Sequence, residues 1–406
     1  MPRVEEALDH AKVVVLNGPR QAGKTTLARR LVASRRGTYW SLDAPDDRSV
    51  LERDLSGFLD ARPPVVIDEF QFGGDRLLRA IKLRCDADDG RGRFLLTGST
   101  RFTTVPTLSE SLAGRAEIVD LWPLSQGEVE GTGDRFVDLL FGSQVALRRA
   151  SPVRASREDV LRRLVSGGYP DVFGRDERPR ARWYEAYLRT VTERDVTAIS
   201  RVQELESLRR LLRLLAARTA QELNVADVAR DLGLPRTTVA GYIPLLETLY
   251  LVHRLPAWSR NLTKKVVRHP KLHLTDAGMG AHLLGAGAAA LGRPGSPVLG
   301  PLLETFVAGE VRRQSAWAEV PVEAHHFRER DGTEVDIVLE SRDGLVAGIE
   351  VKSAATVESR DFRGLDYLHH HLGAQFAHGV VLYLGDRVLP FGERRTAMPV
   401  TSLWSA

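Results

Sequence analysis

The sequence predicts an α/β protein of several domains, and three observations carry that prediction. Short, nearly continuous apolar runs at 13–16, 65–67 and 94–96 alternate with helix-like stretches, and each run ends in polar residues. That is the pattern of a buried parallel sheet, whose chemistry gathers where the strands emerge. A leucine-rich helical middle follows, and near the carboxyl end a second group of strands carries carboxylates and a lysine at matched spacing. A chain of 406 residues has room for two to four such units.

The first run, Val13 to Leu16, breaks into a glycine-bracketed turn and then into Lys24-Thr25-Thr26 at the start of a helical pattern. This is the G-x-x-x-x-G-K-[ST] spacing of a phosphate-binding loop. Gly18 and Gly23 let the backbone curl so that N–H groups point at one anion, with the helix dipole behind them. The loop Gly18, Pro19, Arg20, Gln21, Ala22, Gly23, Lys24, Thr25 and Thr26 is therefore the candidate ATP site. Lys24 is placed to reach the β- and γ-phosphates and Thr25 to offer its hydroxyl to Mg²⁺. The alternative, a structural glycine turn with an incidental lysine, leaves the acidic pair that follows unexplained.

That pair is Asp68-Glu69, at the end of the strand Val65-Val66-Ile67. Asp68 can bind Mg²⁺, directly or through water, and Glu69 can polarise a water towards the γ-phosphate. A lone acidic pair reads as a helix cap; behind a phosphate loop it reads as the Walker B pair. A third strand, RFLLTGST at 93–100, ends in Thr97, Ser99 and Thr100, of which Ser99 is favoured as a γ-phosphate sensor and a helix N-cap is the bland reading. Arg115, in SLAGR at 111–115, precedes the strand Ala116 to Leu121. Two readings stand for it: an arginine finger, in its own or a neighbouring subunit, and an ordinary solvated arginine.

GTGD at 131–134 marks a boundary, and helical patterns cover 136–147 and 157–165. Arg194 and Asp195 read either as groups near the nucleotide or as a helix-end ion pair. From 205 to 254 the pattern is clearer: a leucine-rich helix, a short helix over 226–232, the turn Gly233-Leu234-Pro235, and a second helix from Thr237. With apolar Val228, Leu232, Val239, Ile243 and Leu246, this spacing predicts a winged-helix module. DNA contact and internal packing both remain open for it. Arg236, Thr237, Thr238 and Tyr242 face outward, Pro244 and Glu247 interrupt any basic face, and Lys264, Lys265 and Arg268 lie beyond the wing.

After the Gly/Ala/Pro-rich stretch 285–297, a helix from about Gly300 carries Glu304. Strands then cover 325–328, 334–339 and 345–351, with Asp331-Gly332 at a hairpin tip. Asp336 lies on the second strand; Glu350 and Lys352 lie two apart on the third and so share a face. Glu304, Asp336 and Glu350 around Mg²⁺, with Lys352 to orient water, would make a metal-dependent phosphodiesterase site. The bland reading is a solvated hairpin face with cross-strand Glu–Lys pairing. His369, His370 and His371 read as a surface helix end rather than a metal site, and the closing TSLWSA as an ordinary tail.

Composition sets outer bounds. With 43% apolar and 27% charged residues the chain is of the soluble globular class, and a net charge of +4 permits nucleic-acid binding without arguing for it. One cysteine, Cys85, excludes an intramolecular disulfide framework and fits a reducing compartment. No signal peptide or membrane-length apolar run is seen, so a cytoplasmic protein without membrane contact is expected.

Taken in order, GPRQAGKTT, VVIDE, LLTGS, SLAGR, LWPLSQGE, GGYP, YLRTVTERDV, LTDAGMGAHLLG, GPLLETFVAGEV, EVDIVLE and IEVKS run across nearly the whole chain. In this the chain resembles the prokaryotic AAA-type P-loop ATPases with a C-terminal DUF4143 domain built on a restriction-endonuclease-like core. The resemblance implies an ATPase domain over 1–130, a helical lid or linker over 131–204, a winged-helix module over 205–270 and a PD-(D/E)xK nuclease-like α/β domain over 271–406. It carries phosphate and Mg²⁺ binding onto Lys24 and Thr25, the Walker B roles onto Asp68 and Glu69, and the sensor position onto Ser99. Glu304, Asp336, Glu350 and Lys352 match the superfamily's core acids and lysine, although the chain reads Glu334-Val335-Asp336 without the usual proline.

Two functions follow as expectations. One is Mg²⁺-dependent ATP hydrolysis coupled to a nucleic-acid transaction, with metal-dependent cleavage in the last domain. The other is a nucleotide-regulated switch or scaffold, in a toxin–antitoxin or defence setting, whose inactive nuclease-like domain binds DNA or a protein partner. A finger acting in trans at Arg115 would add nucleotide-dependent homo-oligomers.

Overall fold

The computed structural model describes residues 2–98, 112–196, 205–259 and 269–405, apart from the side chains of 194 and 195. Two compact units emerge: residues 1–123 with 248–250, and residues 124–247 with 251–406.

In the first unit, five strands form one parallel sheet: β1 (Val13–Asn17), β2 (Thr38–Ser41), β3 (Val65–Asp68), β4 (Phe94–Thr97) and β5 (Ala116–Asp120), in the order β2-β3-β4-β1-β5. The apolar runs are continuous because the two sheet faces each take alternate residues. Val13, Val15, Val65, Ile67, Phe94 and Leu96 pack on one side against Phe58, Leu77, Ile81 and Cys85. Val14, Leu16, Val66 and Leu95 pack on the other against Val4, Leu8, Ala28 and Leu31. The polar stretch between β2 and β3 forms two helices, Pro45–Arg53 and Leu55–Leu59. Asp54 separates them by accepting from the Gly57 N–H at 2.9 Å, as an N-cap does. Burial raises the pKa of the Cys85 thiol, which makes it a core residue rather than a nucleophile.

The second unit holds two sheets. The smaller is antiparallel, β6-β8-β7, from Gln221–Glu222 (β6), Lys271–Leu274 (β8) and Val252–Leu255 (β7). With it go the helices Leu205–Ala217, Val225–Leu232 and Arg236–Thr248. Asn224 caps the second of these by accepting from the Ala226 N–H at 3.0 Å, and Gly233 at φ 66° ends it. All five apolar positions expected to face inward between these helices are buried.

The larger sheet has the order β13-β14-β12-β11-β10-β9, with β9 Val322–Arg328, β10 Glu334–Ser341, β11 Val346–Lys352, β12 Phe376–Tyr383, β13 Leu389–Pro390 and β14 Arg395–Pro399. β9, β10 and β11 pair antiparallel, whereas β11, β12 and β14 pair parallel. The helix Leu299–Ser315 covers one face through Leu302, Leu303 and Phe306. The helix Arg363–Leu372 covers the other through Leu365 and Leu368.

Three features depart from the sequence reading. β8, assigned there to the last domain, completes the sheet of the preceding module, so a boundary at 270/271 cuts through a ladder. The strand β10, read as a plain hairpin strand, is irregular: a register shift between Val335 and Val338 sends Val335 and Ile337 into different core clusters. And the closing residues are no loose tail, because Leu403 and Trp404 are buried, with Trp404 edge-on to Phe306.

Candidate functional site

β1 delivers its carboxyl end directly into the glycine loop. A Cβ on Gly18 would lie 2.1 Å from the Leu121 carbonyl oxygen, so only glycine permits this approach of chain to chain. Gly23 sits at φ 98° as the N-cap of the helix Lys24–Arg35 and brings no side chain to its first N–H groups. N–H groups at a helix start, with the helix dipole behind them, favour an anion. Lys24, 6% exposed, donates from Nζ to the carbonyls of Gly18 at 2.8 Å and Pro19 at 2.7 Å, which holds its charge inside the loop. Gln21 takes φ 60° at the outside of the curl, Arg20 is half-buried, Ala22 is buried, and Thr26 is exposed on the first helical turn.

Asp68, at the end of β3 and buried, is the hub beside this loop. Its Oδ2 accepts from the Thr25 hydroxyl at 2.8 Å and the Tyr39 hydroxyl at 2.6 Å, and its Oδ1 accepts from Thr97. Burial, and then the bond to Asp68, push the Tyr39 phenol up to about 12, so it stays a donor. Glu69 follows at φ 53°, a left-handed turn that ends the strand and starts the short helical turn Phe70–Gly73, and its carboxylate accepts from Gln71 Nε2. A hydroxyl and a carboxylate in contact at the mouth of a phosphate loop are the donor set a magnesium ion takes. Lys24, the loop N–H groups and the helix terminus fit the triphosphate. The residues present therefore fit Mg·ATP.

A second cluster lies in the other unit. Glu304, on the helix Leu299–Ser315, and Asp336, on β10, both accept from one ammonium, that of Lys271 on β8. The distances from Nζ are 2.8 Å to Glu304 Oε1 and 3.0 Å to Asp336 Oδ1, and the lysine side chain is 4% exposed. The Val351 N–H donates to Asp336 Oδ2 at 2.9 Å. Lys352 Nζ donates to Glu350 Oε1 at 2.8 Å, while Glu350 Oε2 is buried without a hydrogen-bond partner.

Burial opposes the charge on Lys271, but Asp336 and Glu304 outweigh it and hold the ammonium above the ordinary lysine range. Burial and then Asp336 push Glu304 well above the carboxylate range, and the same two causes lift Glu350 to about 8. Burial and then Lys271 push His273, beside Glu304, down to about 3, so it is neutral. Among the described residues no three His, Cys, Asp or Glu side chains are grouped so as to hold a metal ion. The expected ligand trio Glu304, Asp336 and Glu350 is thus corrected. As arranged, an ammonium stands where the ion would have to bridge, and the residues do not fit a metal.

An AAA domain matches residues 10–130, a domain of unknown function (DUF8612) matches 157–290 and another (DUF4143) matches 299–403. Uncharacterized proteins of Mycobacterium bovis and Mycobacterium tuberculosis are each 30% identical over 404 residues, 99% of this chain and 83% of theirs. The chain belongs to the AAA-type P-loop ATPases with a C-terminal DUF4143 domain. An uncharacterized protein of Haemophilus influenzae is 21% identical over 67% of this chain and 69% of its own. Among solved structures, a Walker-type ATPase of Pyrococcus abyssi is similar at 16% identity, covering 70% of this chain and 94% of that one, with a TM-score of 0.43. AMPPCP-bound DnaA from Aquifex aeolicus is similar at 15% identity over 60% and 85%, with a TM-score of 0.26.

In this AAA-type ATPase, Thr25 and Asp68 are in contact and Glu69 follows at once. Ser99 lies outside the described residues, as do Thr100, Lys264, Lys265, Arg268 and the side chains of Arg194 and Asp195; of the three hydroxyls ending the third strand, Thr97 is the one seen on Asp68. Arg115 is corrected as a finger for its own chain. It pairs with Asp86 at 2.6 Å, and its carbonyl accepts from the Val13 N–H at the amino end of β1. The strand's five residues, roughly 15 Å, separate that edge from the loop. The sequence reading did not include Tyr39, Gln71 or Lys271. Tyr39 lies on β2, and nothing in its local sequence marks it as polar machinery. Lys271 belongs to no motif and meets its partners only through tertiary pairing.

Proposed function

We propose that this ATPase binds Mg·ATP at the glycine loop, hydrolyses it with Glu69 polarising the attacking water, and uses the cycle to drive a nucleic-acid transaction. The observation that carries the reading is the Thr25–Asp68 contact beside Lys24. Bound magnesium would offset charge on the β- and γ-phosphates. Thr25 and Asp68 would hold it, with Tyr39 and Thr97 keeping the Asp68 carboxylate aimed. Lys24 would exchange the carbonyls of Gly18 and Pro19 for phosphate oxygens, at no cost in new loop geometry. Gln71 holds Glu69 beside the strand end, where a water in line with the γ-phosphate would lose its proton to it.

The helices Val225–Leu232 and Arg236–Thr248 with β7 and β8 support a winged-helix reading, with Arg236 and Thr237 exposed for nucleic acid. The mixed sheet with Asp336, Glu350 and Lys352 supports a PD-(D/E)xK-like core. Lys271 favours the second reading for that core: a domain that binds DNA or a protein partner and does not cut. One cysteine fits a reducing compartment, and we take the protein to be cytoplasmic; among the described residues no helix is long and apolar enough to cross a membrane.

The test is calorimetry of ATP with magnesium on the full chain, followed by phosphate release with and without duplex and single-stranded DNA. Tight uptake with DNA-stimulated release is expected. A folded sample that takes up no ATP defeats the reading, and a release rate indifferent to DNA at low salt defeats its nucleic-acid half.

A further inference from the structure

The acidic cluster of the second unit holds a cation of its own. We propose that the Lys271 ammonium is the resident cation of the Glu304–Asp336 pair, excluding a divalent ion, so that the wild-type cluster binds no metal and cleaves no phosphodiester.

The stem of Lys271 has little freedom. It starts β8, paired to Glu222 on one side and Leu255 on the other, so the lysine backbone is fixed by ladders on both edges. From there the side chain runs inward to Glu304 Oε1 and Asp336 Oδ1 at hydrogen-bond distances on both. A magnesium or manganese ion bridging those oxygens would need them at about 2.1 Å and would stand within van der Waals contact of Nζ. Size and like charge both forbid the two cations together. The lysine cannot simply swing out either. Its side chain is 4% exposed, and an ammonium moved within the interior away from both acids would be buried without a partner.

The other groups are already adapted to this tenant. Asp336 Oδ2 is committed to the Val351 N–H, and Glu350 Oε1 to Lys352. His273, the nearby nitrogen donor, turns Nδ1 to the Thr305 hydroxyl at 3.3 Å. Thr305 in turn meets the Thr219 hydroxyl at 2.8 Å. Glu350 Oε2 and His273 Nε2, the latter 4.0 Å from Glu304 Oε1, are buried without a hydrogen-bond partner, but among the described residues no three such side chains are grouped so as to hold an ion. The lysine thus ties β8 to the helix Leu299–Ser315 and to β10, doing by one ammonium and two ionic contacts what a metal does in a metal-bridged core.

The experiment uses the full chain without nucleotide, so it is blind to whether ATP is hydrolysed. Manganese binding is followed by electron paramagnetic resonance and calorimetry. Wild type and Asp336→Asn are expected to bind manganese alike. Lys271→Met is expected to gain one manganese site at least tenfold tighter than any background, and Lys271→Met with Asp336→Asn to lose it again. Lys271→Gln serves as a second opening variant should the methionine prevent folding. A folded Lys271→Met or Lys271→Gln protein that gains no site overturns the proposal. So does a wild-type protein whose manganese uptake drops in Asp336→Asn, and that comparison decides the matter even if neither lysine variant folds.

Discussion

At the residue scale, single charges decide what each site can do. Lys24 sits with its ammonium between two loop carbonyls, already positioned and nearly dry. Removing it as Lys24→Ala deletes charge-assisted bonds worth about 1.5–3 kcal/mol, so ATP affinity should fall roughly 10- to 100-fold by calorimetry. Glu69→Gln keeps shape and the hydrogen bond to Gln71 but removes the base. Binding should persist while phosphate release slows by about 10²–10⁴. Wild-type turnover in either variant would remove these residues from the mechanism. Glu310 offers a test of a different kind. It is 1% exposed, accepts from the Gln126 N–H at 2.9 Å and pairs with Arg313 at 3.0 Å. Burial, opposed by Arg313, pushes it up to about 7 from an ordinary 4.5. A folded-state value above the unfolded one means stability that is present below pH 4.5 and lost as pH rises to about 7. The slope is at most about 1.4 kcal/mol per pH unit. Glu310→Gln should flatten that part of the urea-unfolding profile, and an unchanged slope would show that Glu310 does not titrate there.

At the element scale, the path out of β1 is the constraint. The strand end, the loop and the end of β5 meet so closely that Gly18 touches the Leu121 carbonyl, while Leu121 N–H donates to Asn17 at 2.7 Å. A methyl group at Gly18 has backbone in its way, not a flexible side chain, and φ 152° adds strain. Gly18→Ala should cost about 1–3 kcal/mol in urea unfolding and weaken ATP binding with it, because the displaced backbone also carries the phosphate-facing N–H groups. Gly233→Ala, with open space around it, should cost only the left-handed strain of about 1 kcal/mol and leave ATP binding alone. A Gly18→Ala protein as stable as wild type would show that the loop can shift without penalty.

At the scale of the whole molecule, the ATP site and the lysine-filled cluster belong to different compact units. Arg115 bears on assembly: in its own chain it is on the wrong edge of the sheet, so a finger role requires a second copy. If it has one, mass measurement should find association on adding ATP with magnesium, lost in Arg115→Ala. An unchanged mass in both would leave Arg115 as the ion-pair partner of Asp86. Much of the molecule is legible in the chain. The parallel sheet shows in the uninterrupted runs 13–16 and 65–67, because burial on both faces leaves no room for polar alternation, and the phosphate loop shows because its chemistry is local. The Glu350–Lys352 pair is legible for the same reason. What the sequence determined by itself is whatever a few consecutive residues impose on their own backbone: strand, glycine turn, helix start, acidic strand end. Only the tertiary structure decided which distant groups share a charge. Lys271 is 33 and 65 residues from the acids it neutralises, Tyr39 and Thr97 reach Asp68 from neighbouring strands, and Arg115 is carried to the far edge by strand direction. Electrostatic partnership acts through space over a few ångströms, and chain folding sets those distances without leaving a local trace.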